Sequence, residues 1–382
     1  IKEDPYMPDT HGGNIFKFAH EHHINPSDVC DFSANINPLG PSQKGLEALN
    51  KRLDYISHYP DPTNDDVLNA VADVYGVNKD SILIGNGAAE LLYAIGRLPE
   101  FTGSFVPAPG FSEYRNSMDA ANIPVRDIFY RQRQDEKGTP YFEIPYLALQ
   151  TFAAKLKGQD GRIIVFLGNP NNPDGTLLDK KYIDKLANML HDANSLLVID
   201  ESFIDFIGND SLCDNSYSMR SLIHHHDNVI IIHSFTKFYA VPGLRIGAAF
   251  ANPTLIKKLS TYIPSWSVNT LSQAYITAAV NDTNYIKNTK DLLANESEFM
   301  YKSLSAIDDL IVYKPSANYI LIEVQNPNIT VDNVQRNLEK HNVLIRNCAN
   351  YNGLGAQWMR IAIKDHNHNV ELIRLLSAIF EK

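Results

Sequence analysis

NVIIIHSFTKFYAVPGLRIGAAFA, residues 228–251, decides how the rest of the chain is read. Residues 228–233 are a short apolar run of strand type, and residues 246–251 are a second one, built from small side chains. Between them stand Ser234, Thr236, Lys237 and Arg245. Two hydroxyls and two cations thus sit at the mouth of a sheet whose strands read as buried. A lysine held among apolar neighbours has a lowered pKa and serves as an amine nucleophile or Schiff-base partner. The hydroxyls and the guanidinium are phosphate ligands in type, and an arginine binds phosphate bidentately.

Outward from this segment the same grammar repeats. SILIG (81–85), SFVPA (104–108), RIIVFLG (162–168) and SLLVID (195–200) read as strands. LDKKYIDKLANMLHDA (178–193) reads as an amphipathic helix, with Tyr182, Ile183, Leu186, Met189 and Leu190 on its apolar face. Continuous apolar strands alternating with helices predict an α/β fold with a mostly parallel sheet covered on both faces. Ligands in such folds gather at the carboxyl ends of the strands. After Pro264 a long helical stretch (270–306) leads to NYILIEV (318–324), a helix (332–341), NVLIRN, WMRIAI and a last helix. The expected organisation is an N-terminal arm (1–45) of weak periodicity, a large domain (46–265) and a smaller α+β domain (266–382).

Composition narrows the partners. The chain has 382 residues, 44% hydrophobic and 20% charged, with a net charge of −10. That is ordinary for a soluble globular protein, and no basic tract offsets the negative charge for nucleic acid. No apolar run approaches the ~20 residues of a membrane span. IKEDPYMPDTHGGN at the start lacks the pattern of a signal peptide. Cys30, Cys213 and Cys348 are scattered and unpaired in spacing, which fits a reducing cytoplasm. Histidine clusters at 20–23 and 224–226 carry no metal-ligand spacing, and no metal is expected.

Three further motifs sit where strands end. In IGNGAAELLYAI (84–95), Gly87, Ala88 and Ala89 open a helix whose free N–H groups make an anion cup. In FLGNPNNPDGTLL (166–178), Asn172 aims an amide at a ligand or simply shapes a turn. In LLVIDESFIDF (196–206), Asp200 follows four apolar residues, where a carboxylate is costly unless it meets a cation or donor. Together with the opening segment these parts match pyridoxal 5′-phosphate. That cofactor needs an amine (Lys237), a carboxylate for the ring nitrogen (Asp200) and a donor for the 3′-oxygen (Asn172). It also needs an aromatic face (Phe111 in PGFSEY) and a phosphate site. Gly87, Ala88, Ala89, Ser234, Thr236 and Arg245 supply that site.

The order GNG…E, NPNNPxG, DE, SxTK…PGLRxG resembles the fold-type I pyridoxal-phosphate enzymes, in the branch with histidinol-phosphate aminotransferase. DFSANINPLGPS (31–42) and HYPDP (58–62) belong to the same branch. By this resemblance Tyr59 reaches the cofactor phosphate of a partner subunit, which implies a homodimer with shared active sites. Within the branch, HGGNI (11–15), DESFIDF, WSVN (266–269), ANYILI and LIRNCANYNGL (344–354) are similar to the L-threonine-O-3-phosphate decarboxylases. Those enzymes make the aminopropanol phosphate of the cobamide nucleotide loop. The resemblance implies that Arg360 meets the substrate carboxylate and that Arg346, His11 and Asn35 hold a remote phosphate. Phe203 stands where aminotransferases of the branch carry Tyr, so the 3′-oxygen bond falls to Asn172. Asp174 replaces the usual Thr of NPTG, with little effect expected.

The expected activity is decarboxylation of an O-phospho-L-amino acid, phosphothreonine or phosphoserine. A histidinol-phosphate-type aminotransferase is the alternative on the same contacts, since substrate orientation alone selects the bond that breaks. A non-catalytic ligand-binding protein on this fold is a further alternative, opposed by the intact Lys237, Asp200 and Asn172 set.

Overall fold

The computed structural model describes residues 12–158 and 162–380. Seven strands form the larger sheet: β1 (Ile82–Gly85), β2 (Gly103–Ala108), β3 (Val125–Phe129), β4 (Ile163–Gly168), β5 (Leu196–Asp200), β6 (Val229–Ser234) and β7 (Gly247–Ala251). Their order is β1-β7-β6-β5-β4-β2-β3. The ladder is parallel from β6 to β3, and β7 runs antiparallel to both neighbours. Every residue of β4, β5, β6 and β7 is buried, which is why these strands are apolar without alternation. Six strands therefore end at one edge of the sheet, and β7 begins there.

Helices cover both faces. The crossover helix Lys180–Asp192 starts where the Asp179 side chain accepts from Lys181 N and Tyr182 N. It buries Ile183, Leu186, Ala187 and Leu190 against the sheet. Each such large aliphatic contributes about 1.5–3 kcal/mol by leaving water. Tyr182, expected on that face, lies instead half exposed and stacks on Tyr146 at 4.8 Å. Gly247 is required by a close approach: a Cβ there would stand 2.7 Å from both Ala88 N and His233 O.

The C-terminal part carries a four-stranded antiparallel sheet of β8 (Leu310–Val312), β9 (Tyr319–Val324), β10 (Arg346–Asn347) and β11 (Trp358–Ala362), ordered β8-β9-β11-β10. Two expectations change in detail. The helical stretch at 270–306 is two helices, Thr270–Ala279 and Thr283–Ser305. Asp282 breaks it by capping the second, accepting from Tyr285 N and from Ser42 Oγ at 2.7 Å. NVLIRN is split as well: Val343–Leu344 pairs in parallel with Cys30–Asp31, and only Arg346–Asn347 joins the four-stranded sheet. The N-terminal segment is thereby stitched to the C-terminal part. It also contains the helices Ile15–His22 and Gln43–Asn50, and a hairpin of Arg131–Gln134 with Pro140–Glu143 was not foreseen either.

Candidate active site

The strand ends of the large sheet, the arm and the C-terminal sheet enclose a cavity of about 410 Å³. Lys237 follows β6 on a single helical turn, Phe235–Phe238, with its carbonyl accepting from Asn37 N of the arm at 3.1 Å. Burial and the guanidinium groups of Arg360 and Arg245 push the Lys237 amine down to about 8, against the opposing pull of Asp200 and Asp31. An amine in that range is far more often neutral near physiological pH than an ordinary lysine.

Asp200 closes β5 at the cavity wall and is 7% exposed. Burial raises its pKa, partly countered by hydrogen bonds. Oδ1 accepts from Ser202 N at 2.9 Å and Ser202 Oγ at 2.5 Å, and Oδ2 accepts from Tyr114 Oη at 2.8 Å. The turn after β4 is built around Asn169, whose Nδ2 donates to the buried Glu201 at 2.9 Å and whose Oδ1 accepts from Leu178 N. This turn delivers Asn172 to the cavity. Asn172 Oδ1 accepts from Arg360 Nη1, which leaves Nδ2 as its donor. Asp174 does more than expected of a Thr replacement. It is buried, accepts from Asn171 Nδ2 at 2.5 Å and Thr176 N at 2.8 Å, and is raised by burial to about 6.

The anion cup forms at the start of the helix Gly87–Gly96. Gly87 has φ 80°, and a Cβ there would lie 2.6 Å from Arg245 Nη2, so the glycine lets the guanidinium close on the helix N-terminus. Ser234 Oγ and Thr236 Oγ1 lie 2.8 Å apart on the same wall, with Ala88, Ala89 and Phe111.

Opposite the cup stand two buried arginines. Arg346 on β10 is the register partner of Arg360 on β11, so both side chains leave the same face of the small sheet. Arg360 Nη2 donates to Ser33 O at 2.7 Å. Arg346 Nη2 donates to Asn350 Oδ1 at 2.7 Å, and its guanidinium lies 5.1 Å from the Tyr351 ring. Asn35 also lines the cavity, and neither polar atom of its buried amide has a hydrogen-bond partner among the described residues.

The structure thus brings together Lys237, Asp200, Asn172, Ala88, Ala89, Phe111, Ser234, Thr236, Arg245, Asn35, Arg346 and Arg360, with Gly87 directly behind the cup. Tyr59 is not among them: it is 78% exposed and stacks on Trp266 at 4.7 Å on the surface. His11 lies outside the described residues, though the following Gly12 lines the cavity. Sequence reasoning missed Ser33, Tyr114, Ser202 and Tyr351. The serines had a signal in the repeated Asp-x-Ser spacing. Asp31 Oδ1 accepts from Ser33 N at 2.8 Å and Ser33 Oγ at 2.5 Å, as Asp200 does with Ser202. Tyr114 and Tyr351 had none.

These residues fit pyridoxal 5′-phosphate. A buried carboxylate faces the cavity with hydroxyl donors but no cation bonded to it, a depressed amine stands beside it, and a guanidinium closes a helix N-terminus. Among the described residues no cluster of metal-ligating side chains occurs, and no helix is long and apolar enough to cross a membrane.

Comparison with known proteins points the same way. The family described as aminotransferase class I and II matches residues 27–379. Threonine-phosphate decarboxylase of Salmonella typhimurium is 30% identical over 368 residues, covering 96% of this chain and 95% of that protein. The adenosylcobalamin biosynthesis bifunctional protein of Leptospira interrogans is 32% identical over 373 residues, 97% of this chain but 41% of that longer protein. The crystal structure of histidinol-phosphate aminotransferase from Clostridium acetobutylicum superposes with a TM-score of 0.81 at 27% identity, covering 92% of this chain and 99% of that one.

Proposed function

The chain belongs to the aminotransferase class I and II family, whose cofactor is pyridoxal 5′-phosphate, and from that premise we propose that it decarboxylates an O-phospho-L-amino acid. The observation that carries this reading is that two separate groups of cationic side chains and N–H donors line one cavity. The cup at Gly87, Ala88 and Arg245 suits the cofactor's phosphate, and Arg346 stands beside Arg360 on the opposite wall. A substrate bearing both a carboxylate and a phosphate matches the second pair. The names of the Salmonella and Leptospira relatives support phosphothreonine and a place in cobamide synthesis.

When bound, the cofactor supplies an electron sink for the bond that breaks at Cα. Lys237 would hold it covalently through its amine and would serve as the base or acid that moves a proton at Cα. Asp200, held by Ser202 and Tyr114, would place its carboxylate toward the pyridine nitrogen. Asn172 Nδ2 would be the donor available to the ring oxygen, since Phe203 has no hydroxyl. Phe111 gives the ring a face. Gly87, Ala88, Ala89, Ser234, Thr236 and Arg245 hold the cofactor's phosphate. Arg360 takes the carboxylate, and Arg346 with Asn35 and His11 takes the remote phosphate. By holding both ends of the substrate these residues would set its orientation, and with it which reaction is favoured. The arm (1–45) and the part from 266 onward supply this substrate side, and residues 46–265 supply the cofactor side. In this reading the protein works as a cytoplasmic homodimer in which Tyr59 completes the partner's site.

The test is incubation with O-phospho-L-threonine in the absence of an oxo acid. Carbon dioxide release at catalytic turnover is expected. Conversion of the cofactor to its amine form without carbon dioxide would establish the aminotransferase reading instead, which the Clostridium structure favours. Parallel assay of O-phospho-L-serine ranks two substrates separated by one methyl, a difference worth about 1–3 kcal/mol.

A further inference from the structure

The segment between β10 and β11 leaves the small sheet and crosses to the large one. Its base is a tight turn, with Cys348 N donating to Trp358 O at 2.9 Å and Tyr351 N to Cys348 O at 3.0 Å. Its tip is fastened to β3: Asn352 Nδ2 donates to Asp127 Oδ2 at 2.8 Å, and Asp127 Oδ1 accepts from Arg115 Nη2 at 2.7 Å. Gly353, at φ 86°, lies against the end of β2, where a Cβ would stand 3.5 Å from the Ala108 carbonyl. Within the basal turn, Asn350 Oδ1 receives the bond from Arg346 Nη2. A cavity of about 270 Å³ lies under the segment, bounded by Phe111, Arg115, Asp127, Arg346, Asn350 and Asn352. Tyr351 and Leu354 anchor the segment to the core, and on the side facing this volume its polar contacts are those of Asn350 and Asn352.

We infer that Asn352 and Asp127 seat this segment, that Asn350 thereby fixes the Arg346 guanidinium, and that all three are positioning residues for the substrate's phosphate. The inference rests on the reading of Arg346 as the group that meets that phosphate. A guanidinium already held in one plane loses less freedom when it forks onto an anion. None of the three touches the Lys237 end of the cavity, so the effect falls on binding of the phosphorylated substrate and not on the chemical step.

The experiment is steady-state decarboxylation by the holoenzyme, with O-phospho-L-threonine and L-threonine as substrates and inorganic phosphate as competing ligand. Asn350→Ala, Asn352→Ala and Asp127→Ala should each raise KM for the phosphorylated substrate about ten-fold. Inhibition by inorganic phosphate should weaken in parallel, while kcat and the kcat/KM for L-threonine stay within about two-fold. Asp127→Asn, whose carbonyl still accepts from Asn352, should retain most of the affinity. The Asn350→Ala, Asn352→Ala double variant should be no worse than Asn350→Ala alone, because one change acts through the other. Equal losses on both substrates, a fall in kcat at unchanged KM, or additive losses in the double variant would overturn the inference. Arg346→Ala separates the two claims. If it weakens both substrates equally, the phosphate reading itself fails. If it is selective and the segment variants are not, only the positioning role fails.

Discussion

Lys237 is held down first by burial and then by the fields of Arg360 and Arg245. Its pKa falls from 10.5 to about 8, so the folded protein binds fewer protons than the unfolded chain between those values. The stability gained from the neutral amine is therefore full above the unfolded value and lost as pH falls through about 8. In the cofactor-free protein the Lys237 amine should titrate near 8, and Arg360→Met should move that midpoint upward; NMR of a specifically labelled lysine reads both. Lys237→Ala should abolish the visible absorbance of the lysine-linked cofactor. Tyr114→Phe removes a hydrogen bond that lowers the Asp200 pKa, so Asp200 should titrate higher. Cofactor affinity should then fall roughly 10-fold by the loss of about 1.5 kcal/mol for a bond to a charged group, measured by titrating the cofactor into the apoprotein. Lys237 and Asp200 were readable in sequence because each breaks an apolar run. Tyr114 was not, because only folding brings its hydroxyl to Asp200, 86 positions away.

At the scale of elements, burial on both faces made the large sheet readable: a strand covered twice has no polar alternation to disguise it. Interruptions decided elsewhere were not. The break at 280–282 depends on Asp282, whose carboxylate accepts from Ser42 Oγ and the Tyr285 N–H and lies 3.5 Å from Lys44 Nζ. Helical periodicity simply runs through it. Asp282→Ala should lower stability by about 1–2 kcal/mol, seen as a lower midpoint of denaturant unfolding. Asp282→Asn, which still accepts, should recover part of that loss. The split of NVLIRN has the same origin, since its first half finds its partner in Cys30–Asp31, more than 300 positions earlier.

Across the whole molecule, Leu53, Tyr55, Ile56, Tyr59 and Trp266 are large apolar residues that remain substantially exposed, Ile56 at 70% and Tyr59 at 78%. Tyr59 and Trp266 stack on one another. Apolar residues gathered in this way mark contact surfaces. For a homodimer built on this surface, light scattering should give twice the chain mass of 42.9 kDa, and Ile56→Asp should shift it toward one chain with loss of activity. An unchanged mass would place the contact elsewhere. Finally, Arg360 reaches from the small sheet to Ser33 of the arm and to Asn172 at the end of the large sheet. Its Nε is buried without a hydrogen-bond partner among the described residues, so an incoming anion meets a vacant donor beside nitrogens already bonded within the protein. A carboxylate accepts from two nitrogens of one guanidinium at once, so a vacant Nε beside an Nη suits a forked anion better than a single-point one.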